Sequence, residues 1–116
     1  MWCVGPDEMQ DIILDSITEG VFTVDSDWRI TSFNRAAEEI TGVQRNKALG
    51  RRCRDILRAD VCETGCALAE TIKTGQSIVN RAVHIIDADG KRRAIAISTA
   101  LLKDQDGKVV GGVETF

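Results

Sequence analysis

The first part of the chain combines a helical repeat of apolar positions with two short strand-like runs. Pro6 suits the first position of a helix, and Gly20 suits the residue that ends it. Between them, apolar residues recur at helical spacing: Met9, Ile12, Ile13 and Ile17. Residues 21–24 and 28–33 are rich in β-branched and aromatic side chains, and an Asp-Ser-Asp turn separates them. This pattern predicts a helix followed by a β-hairpin.

The middle of the chain has the punctuation of several short helices. Asn34 suits an N-cap, and Gly42 follows the last apolar residue of that segment. Residues 45–49 and 52–57 are each long enough for one or two helical turns. A longer helix is expected over 64–74, with Thr64 as its cap and this apolar stripe: Ala67, Leu68 and Ile72.

The last part of the chain predicts three strands in a meander. Residues 77–87, 91–102 and 108–116 are joined by the dipeptides Asp89-Gly90 and Asp106-Gly107, which favour tight hairpin turns. Strands at both ends with helices between them predict an α+β domain, in which short helices pack on one face of a five-stranded antiparallel sheet.

Composition restricts the class of protein without changing this architecture. The chain has 116 residues, and 15 basic against 18 acidic side chains give a net charge of −3. One domain of this length can bury a core. The charge argues against direct nucleic-acid contact, and we find neither a membrane-spanning run nor a secretory signal. We therefore expect a cytoplasmic protein with no membrane contact, whose four cysteines are reduced.

Several motifs, taken with this order of elements, resemble a PAS sensor domain. They are Ile13-Leu14-Asp15-Ser16-Ile17-Thr18-Glu19-Gly20-Val21, Val24-Asp25, Ile30-Thr31-Ser32-Phe33-Asn34-Arg35-Ala36-Ala37-Glu38, Asp89-Gly90 and Asp104-Gln105-Asp106-Gly107-Lys108-Val109-Val110-Gly111-Gly112. The resemblance implies a PAS fold over 11–116, preceded by residues 1–10 as an extension and the start of a cap helix.

A narrower resemblance concerns the attached effector. Arg81-Ala82-Val83 and Gly112-Val113-Glu114-Thr115-Phe116 resemble the N-terminal PAS domain of bacterial sigma-54-dependent transcriptional regulators. That subgroup carries a downstream ATPase and a DNA-binding domain. Sensor histidine kinases carry similar domains and remain an alternative.

The implied function is signal sensing through a ligand- or redox-dependent conformational change. The other alternative is a ligand-free module for protein interaction and dimerisation. We find no catalytic triad, phosphate-binding loop or metal-hydrolase motif, and we expect no enzymatic activity.

Three cysteines in the helical segment are the most distinctive chemistry. Cys53, Cys62 and Cys66 are spaced C-x8-C-x3-C, and Cys3 lies apart. They fit a redox pair, an iron–sulfur cluster or another metal site, or simple core filling by small apolar side chains. A metal site needs a fourth ligand from Cys3, His84 or a partner chain. If Thr64 caps the helix, Cys66 lies in its first turn, where the dipole favours a thiolate.

The strands supply the ligand-pocket candidates. Ala96 and Ser98 belong to a run of small side chains that leaves room for a ligand or lets another element pack closely. Asn80 and His84 share one face of the preceding strand. His84 is a candidate haem or metal ligand, or an ordinary strand histidine.

Flavin and haem are not expected as cofactors. Gly50-Arg51-Arg52-Cys53-Arg54 resembles the reactive-cysteine segment of flavin-binding light sensors, but Arg52 replaces the asparagine before the cysteine. The asparagine expected on strand 91–102 is absent, and Glu114 stands near the position of the flavin-reading glutamine. Haem needs a large apolar pocket, and the chain has few aromatic residues. The cofactor therefore stays open.

Two surface features point to partners. Ile12, Ile13 and Ile17 on the first helix are candidates for a homodimer surface. Two basic clusters fit an anionic metabolite or solvated helix and hairpin surfaces: Arg51, Arg52, Arg54 and Arg58, and Lys91, Arg92 and Arg93.

Overall fold

The computed structural model describes residues 6–59 and 66–116, which form an α+β domain. The helices and strands follow in this order: α1 Pro6–Ser16, β1 Val21–Val24, β2 Ile30–Phe33, α2 Arg35–Thr41, α3 Arg45–Ala48, α4 Cys53–Leu57, α5 Ala67–Thr74, β3 Arg81–Ile86, β4 Arg92–Lys103 and β5 Val109–Thr115. None of the helices in these ranges has the length and apolar character needed to cross a membrane.

One antiparallel sheet contains all five strands, in the order β2-β1-β5-β4-β3. Strands β3, β4 and β5 form the predicted meander. Gly90 and Gly107 adopt positive φ angles of 79° and 82° in its two turns, which is why the Asp-Gly dipeptides mark these positions. The first and last strands of the chain become neighbours at the centre of the sheet, since β1 pairs with β5.

The core lies between one face of the sheet and the short helices. Its largest buried apolar side chains come from four strands and from α5: Phe22, Phe33, Leu68, Ile85 and Ile97. Helix α5 approaches the sheet closely, because a Cβ on Gly112 would lie 2.7 Å from Leu68 Cδ1. The buried hydroxyls of Thr71 and Thr99 hydrogen-bond to each other and tie α5 to β4.

Asn34 joins α1, β1 and α2. Its Oδ1 accepts the Ala37 N–H at 2.9 Å, as predicted for an N-cap, and also the Val21 N–H at 2.8 Å. Its amide donates to the carbonyls of Leu14 and Glu19. A single buried side chain therefore satisfies backbone groups from three elements.

Several predicted boundaries differ from the structure, among them the end of α1 at Ser16, which leaves Ile17 outside the helix. Local backbone geometry explains two of the others. Strand β3 begins at Arg81 rather than residue 77, since Asn80 has a φ of 53°. Strand β2 begins at Ile30, since Trp28 has a φ of 65°. Helix α5 begins at Ala67 with Cys66 at its N-cap, so Cys66 precedes the first turn. Thr64, the predicted cap, lies outside the described residues.

Candidate functional site

A small cavity lies between the sheet and helices α4 and α5. Its volume is about 20 Å³. Most of its wall is apolar, and the wall also carries one carboxyl group and two thiols. The lining residues are Phe22, Cys53, Leu57, Ala59, Cys66, Ala67, Leu68, Ile97 and Glu114. We call this space the inner cavity. A volume of this size holds about one water molecule.

Glu114 is the polar group of the inner cavity. It lies on β5 directly opposite Phe22 of β1 and Thr99 of β4, and it is 4% exposed. Its Oε2 is buried and has no hydrogen-bond partner among the described residues. Burial raises the pKa of the Glu114 carboxyl to about 7. Near neutral pH the group can therefore donate a hydrogen bond when protonated or accept one when ionised.

A wider cleft adjoins the inner cavity. It has a volume of about 300 Å³ and is lined by Trp28, Arg52, Cys53, Arg54, Cys66 and Ala69. We call it the outer cleft. Its wall is held in place by the Cys53 N–H, which donates to the Trp28 carbonyl at 3.0 Å, and by a bridge between Arg29 and Arg52. Cys53 and Cys66 line both spaces, so the two thiols mark the boundary between them.

The structure brings two of the three predicted cysteines together. Cys53 begins α4 and Cys66 occupies the N-cap position of α5, and both are partly buried at the same boundary. Cys62 lies outside the described residues, as does Cys3. Within the described ranges, no group of three or more His, Cys, Asp or Glu side chains is placed to hold a metal ion. The two described thiols alone do not complete the ligand set of an iron–sulfur cluster.

The run of small side chains predicted to line a ligand pocket lies on the face of the sheet opposite the inner cavity. Ile97 and Thr99 are buried in the core, and Ala96 and Ser98 alternate with them along β4. Ala96 is exposed, and the Ser98 hydroxyl accepts the Asn80 N–H at 3.0 Å. The expectation that Ala96 and Ser98 enlarge the cavity is therefore corrected.

Asn80 and His84 also lie away from the inner cavity. Asn80 is exposed just before β3. His84 is partly buried between Val83 and Ile85, whose side chains point into the core, so alternation places His84 on the outer face.

Glu114 is the site residue that the sequence analysis missed. Gly112, Glu114 and Phe116 alternate along the last strand and are all buried. A carboxylate at an inward position of a central strand is unusual because an ionised group is costly to bury. The acidic residue at this inward position was the feature of the sequence that could have identified the site.

Two of the predicted dimer residues lie on α1, and the third follows its last residue directly; all three are exposed. Ile12 is 50% exposed, Ile13 is 55% exposed and Ile17 is 39% exposed. Ile12 and Ile13 therefore expose apolar side chains on α1, and Ile17 exposes another just after the helix ends.

Comparison with known families agrees with this architecture. A sequence profile of the PAS domain matches residues 18–116. The chain belongs to the PAS domain family. This confirms the predicted family and the predicted five-stranded α+β fold.

One relative of this chain is a signal transduction protein. The chain is 23% identical over 108 residues to the signal transduction histidine-protein kinase AtoS of Escherichia coli (strain K12). That match covers 93% of this chain and 17% of the kinase, so the chain spans less than a fifth of its relative.

Two solved structures show the same fold. The PAS domain of a protein from Colwellia psychrerythraea superimposes with a TM-score of 0.79 at 13% identity, covering 96% of this chain and 94% of that one. The PAS domain of nitrogen regulation protein NR(II) from Vibrio parahaemolyticus gives 0.72 at 19% identity, covering 93% and 96%.

Proposed function

We propose that this PAS domain detects a chemical signal at the inner cavity and outer cleft and changes the activity of an attached effector. The buried Oε2 of Glu114, for which residues 6–59 and 66–116 offer no hydrogen-bond partner, carries this proposal. An unmade hydrogen bond to a buried polar group is unfavourable by about 1–3 kcal/mol. A group that completes the bond therefore stabilises one conformation over another, and a signal needs that difference in affinity.

The position of Glu114 supports coupling to the effector. It lies two residues before Phe116, whose ring contacts Phe22 with centroids 6.0 Å apart. Backbone hydrogen bonds pair Phe116 with Gly20 in both directions, at 2.7 and 2.9 Å. A change at Glu114 is thus close to the point where β5 meets the segment that follows α1.

Two effector classes are supported by different observations. The similarity to AtoS favours a histidine kinase. The Arg81-Ala82-Val83 and Gly112–Phe116 motifs favour a sigma-54-dependent transcription activator with an ATPase and a DNA-binding domain. ATP-dependent autophosphorylation of the full-length protein would identify the first class. ATP hydrolysis together with activation of sigma-54-dependent transcription would identify the second.

A substitution that fills the site tests the sensor proposal directly. We expect Cys66→Met to extend a side chain into both spaces and to shift the basal output of the full-length protein. Ala96→Met, on the exposed outer face of β4, is the matched control and should leave output unchanged. Circular dichroism checks that both variants fold. If folded Cys66→Met has the output of the wild type, the sensor proposal is wrong.

Redox sensing is a second candidate because Cys53 and Cys66 line the same cavity. Peroxide would take two electrons and two protons from a pair of thiols as they form a disulfide. This candidate predicts that Cys53→Ser or Cys66→Ser abolishes a peroxide response of the full-length protein. An unchanged response in both variants would remove it.

We further propose that a second copy of the chain packs against α1. The exposed Ile12, Ile13 and Ile17 support this dimer, because burying them removes apolar area from water. A dimer would give the domain a partner surface through which a conformational change can act.

A further inference from the structure

We infer that α1 of a second copy of this chain docks on the outer face of the sheet, across β1, β5 and the second half of β4. The inference rests on the dimer proposed above and names the surface that receives α1. In a two-fold dimer the contact forms twice, because each copy supplies one helix and one sheet face.

The receiving surface is a row of side chains that points away from the core. Val113 of β5 pairs with Ala100 of β4 on one side and with Thr23 of β1 on the other. Each of the three is next along its strand to a buried core residue, so alternation places it on the outer face. We call this surface the outer patch. Its residues are Thr23, Ser32, Ser98, Ala100, Leu102, Val113 and Thr115.

The outer patch contains no ionisable side chain, although all of its residues are partly exposed. Its members are small or apolar side chains and hydroxyls. The part of the outer face where β4 pairs with β3 differs, because it carries Arg92 and His84. A face without charge loses little hydration when another element covers it.

The hydroxyl groups of the patch already have partners within the sheet. Thr23 Oγ1 lies 2.6 Å from both Thr31 Oγ1 and Ser32 Oγ. The Ser98 hydroxyl accepts the Asn80 N–H at 3.0 Å. Excluding water from these hydroxyls therefore leaves them hydrogen-bonded, which keeps the cost of covering them small.

Helix α1 has the complementary surface. Met9, Ile12 and Ile13 are 44%, 50% and 55% exposed. Among the α1 residues whose side chains are described, only Leu14 and Asp15 are partly buried and none is buried. The helix thus presents long apolar side chains that its own chain leaves uncovered, and long side chains pack well against a surface of small ones.

The dimensions of the two surfaces agree. The 11 residues of α1 form a helix about 16 Å long. The outer patch extends about 14 Å along β4, from Ser98 to Leu102, and about 14 Å across four strands. One α1 helix therefore spans the patch.

Charge favours α1 as the occupant over the sheet face of a second copy. The sequence of α1 contains acidic residues and no basic one. The exposed charged residues of the strands are all basic, namely Arg92, Arg93 and Lys103, and the turn after β4 carries both signs. Two sheet faces would bring these like charges together, whereas an acidic helix meets charges of the opposite sign.

A substitution on each surface tests the contact. Ile13→Lys on α1 and Ala100→Glu on the outer patch each place a charge in it, and each homodimer carries the change twice. We expect either variant to raise the dimer Kd at least about tenfold in sedimentation equilibrium. Ala96→Glu is the matched control, because Ala96 lies on the same face of β4 where that strand pairs with β3. It should leave the Kd within about twofold.

Mixing the two variants shows whether α1 and the outer patch touch each other. A mixed dimer has one unaltered contact, and in its other contact the introduced lysine faces the introduced glutamate. We expect Ile13→Lys and Ala100→Glu to associate with each other at least about tenfold more tightly than either associates with itself. A mixed dimer also shows that both variants fold. Thr115→Glu is the second patch variant if Ala100→Glu fails to fold by circular dichroism.

The outcomes separate this inference from the proposed dimer. The inference is overturned if the patch variants leave the dimer intact, if mixing fails to restore it, or if Ala96→Glu weakens it as much as Ala100→Glu does. In those cases, loss of the dimer in Ile13→Lys keeps α1 as the dimer surface and changes only what it packs on. A dimer that is intact in Ile13→Lys, or a wild type that is monomeric at millimolar concentration, overturns both.

Discussion

At the scale of the residue, the charge state of Glu114 depends on folding. Burial raises its pKa from the ordinary value of 4.5 to about 7, because the charged form loses its hydration. The titratable groups that line the same cavity are the thiols of Cys53 on α4 and of Cys66, directly before α5. No ionised partner from the described residues lines the cavity to offset the cost of its negative charge.

The raised pKa predicts how stability changes with pH. The folded state keeps the Glu114 proton up to about pH 7, whereas the unfolded chain releases it near 4.5. The free energy of unfolding should therefore be highest below the lower value and fall as the pH rises between the two. One pKa unit corresponds to about 1.4 kcal/mol, so the loss is on the order of 3 kcal/mol.

Glu114→Gln should remove this dependence because glutamine does not titrate. We expect the variant to be more stable than the wild type at about pH 8, and the difference to shrink or reverse near pH 4.5, measured by urea unfolding. Glu70→Gln is the control, since Arg81 beside the exposed Glu70 lowers its pKa, which gives a shift of the opposite sign. A constant difference between Glu114→Gln and the wild type across this range would contradict the prediction.

At the scale of the element, the sequence predicted helix caps and hairpin turns better than it predicted which face of a strand is buried. Asn34 and the Asp-Gly turns were recognisable because their backbone geometry demands those residue types. Residues 77–80 have a strand-like composition, yet Asn80 adopts positive φ, and its N–H bonds to Ser98 across the sheet. A long-range contact of this kind cannot be read from local propensity.

The candidate site was only partly predictable for the same reason. Cys53 was recognised as a residue of interest from its neighbours in sequence, but its contact with the same cavity as Glu114 requires the pairing of β1 with β5 and the packing of α4 and α5. The small residues on β4 were assigned to the pocket because nothing in a run of alanines and serine indicates which face is buried. The burial of Ile97 and Thr99 shows which face of β4 points into the core, and this burial is visible only in the folded structure.

The junction of α1, β1 and α2 depends on the single side chain of Asn34. Its Oδ1 accepts two backbone N–H groups and its amide donates to two carbonyls. Asn34→Ala leaves these groups without partners, and we expect the free energy of unfolding to fall by about 2–4 kcal/mol. Asn46→Ala, at an exposed position of α3, is the control and should change it by less than about 0.5 kcal/mol. Equal effects of the two substitutions in urea unfolding would contradict this assignment.

At the scale of the whole molecule, the exposed apolar surface of α1 predicts self-association. Ile13→Ser combined with Ile17→Ser should shift the domain towards the monomer in sedimentation velocity, because less apolar area is removed from water on association. Val79→Ser is the control, since Val79 is 72% exposed but lies in the segment between α5 and β3 rather than on α1. A dimer that withstands the double substitution would exclude α1 as its main surface.

Gly20, in the segment after α1, meets Phe116, directly after β5, and this contact links α1 to β5. A Cβ on Gly20 would lie 2.5 Å from the Phe116 ring, so Gly20→Ala forces that ring to move. We expect a loss of about 1–3 kcal/mol in the free energy of unfolding, which is typical of overpacking. Phe116→Leu replaces the ring with a smaller side chain and should recover part of this loss in the double variant, so that the two changes are not additive.

In the full-length protein the single Gly20→Ala substitution should also alter effector output, and the double variant should restore it. Additive losses of stability would show that the ring is not the obstacle, and an unaltered output in a folded Gly20→Ala protein would place the coupling elsewhere than at this junction.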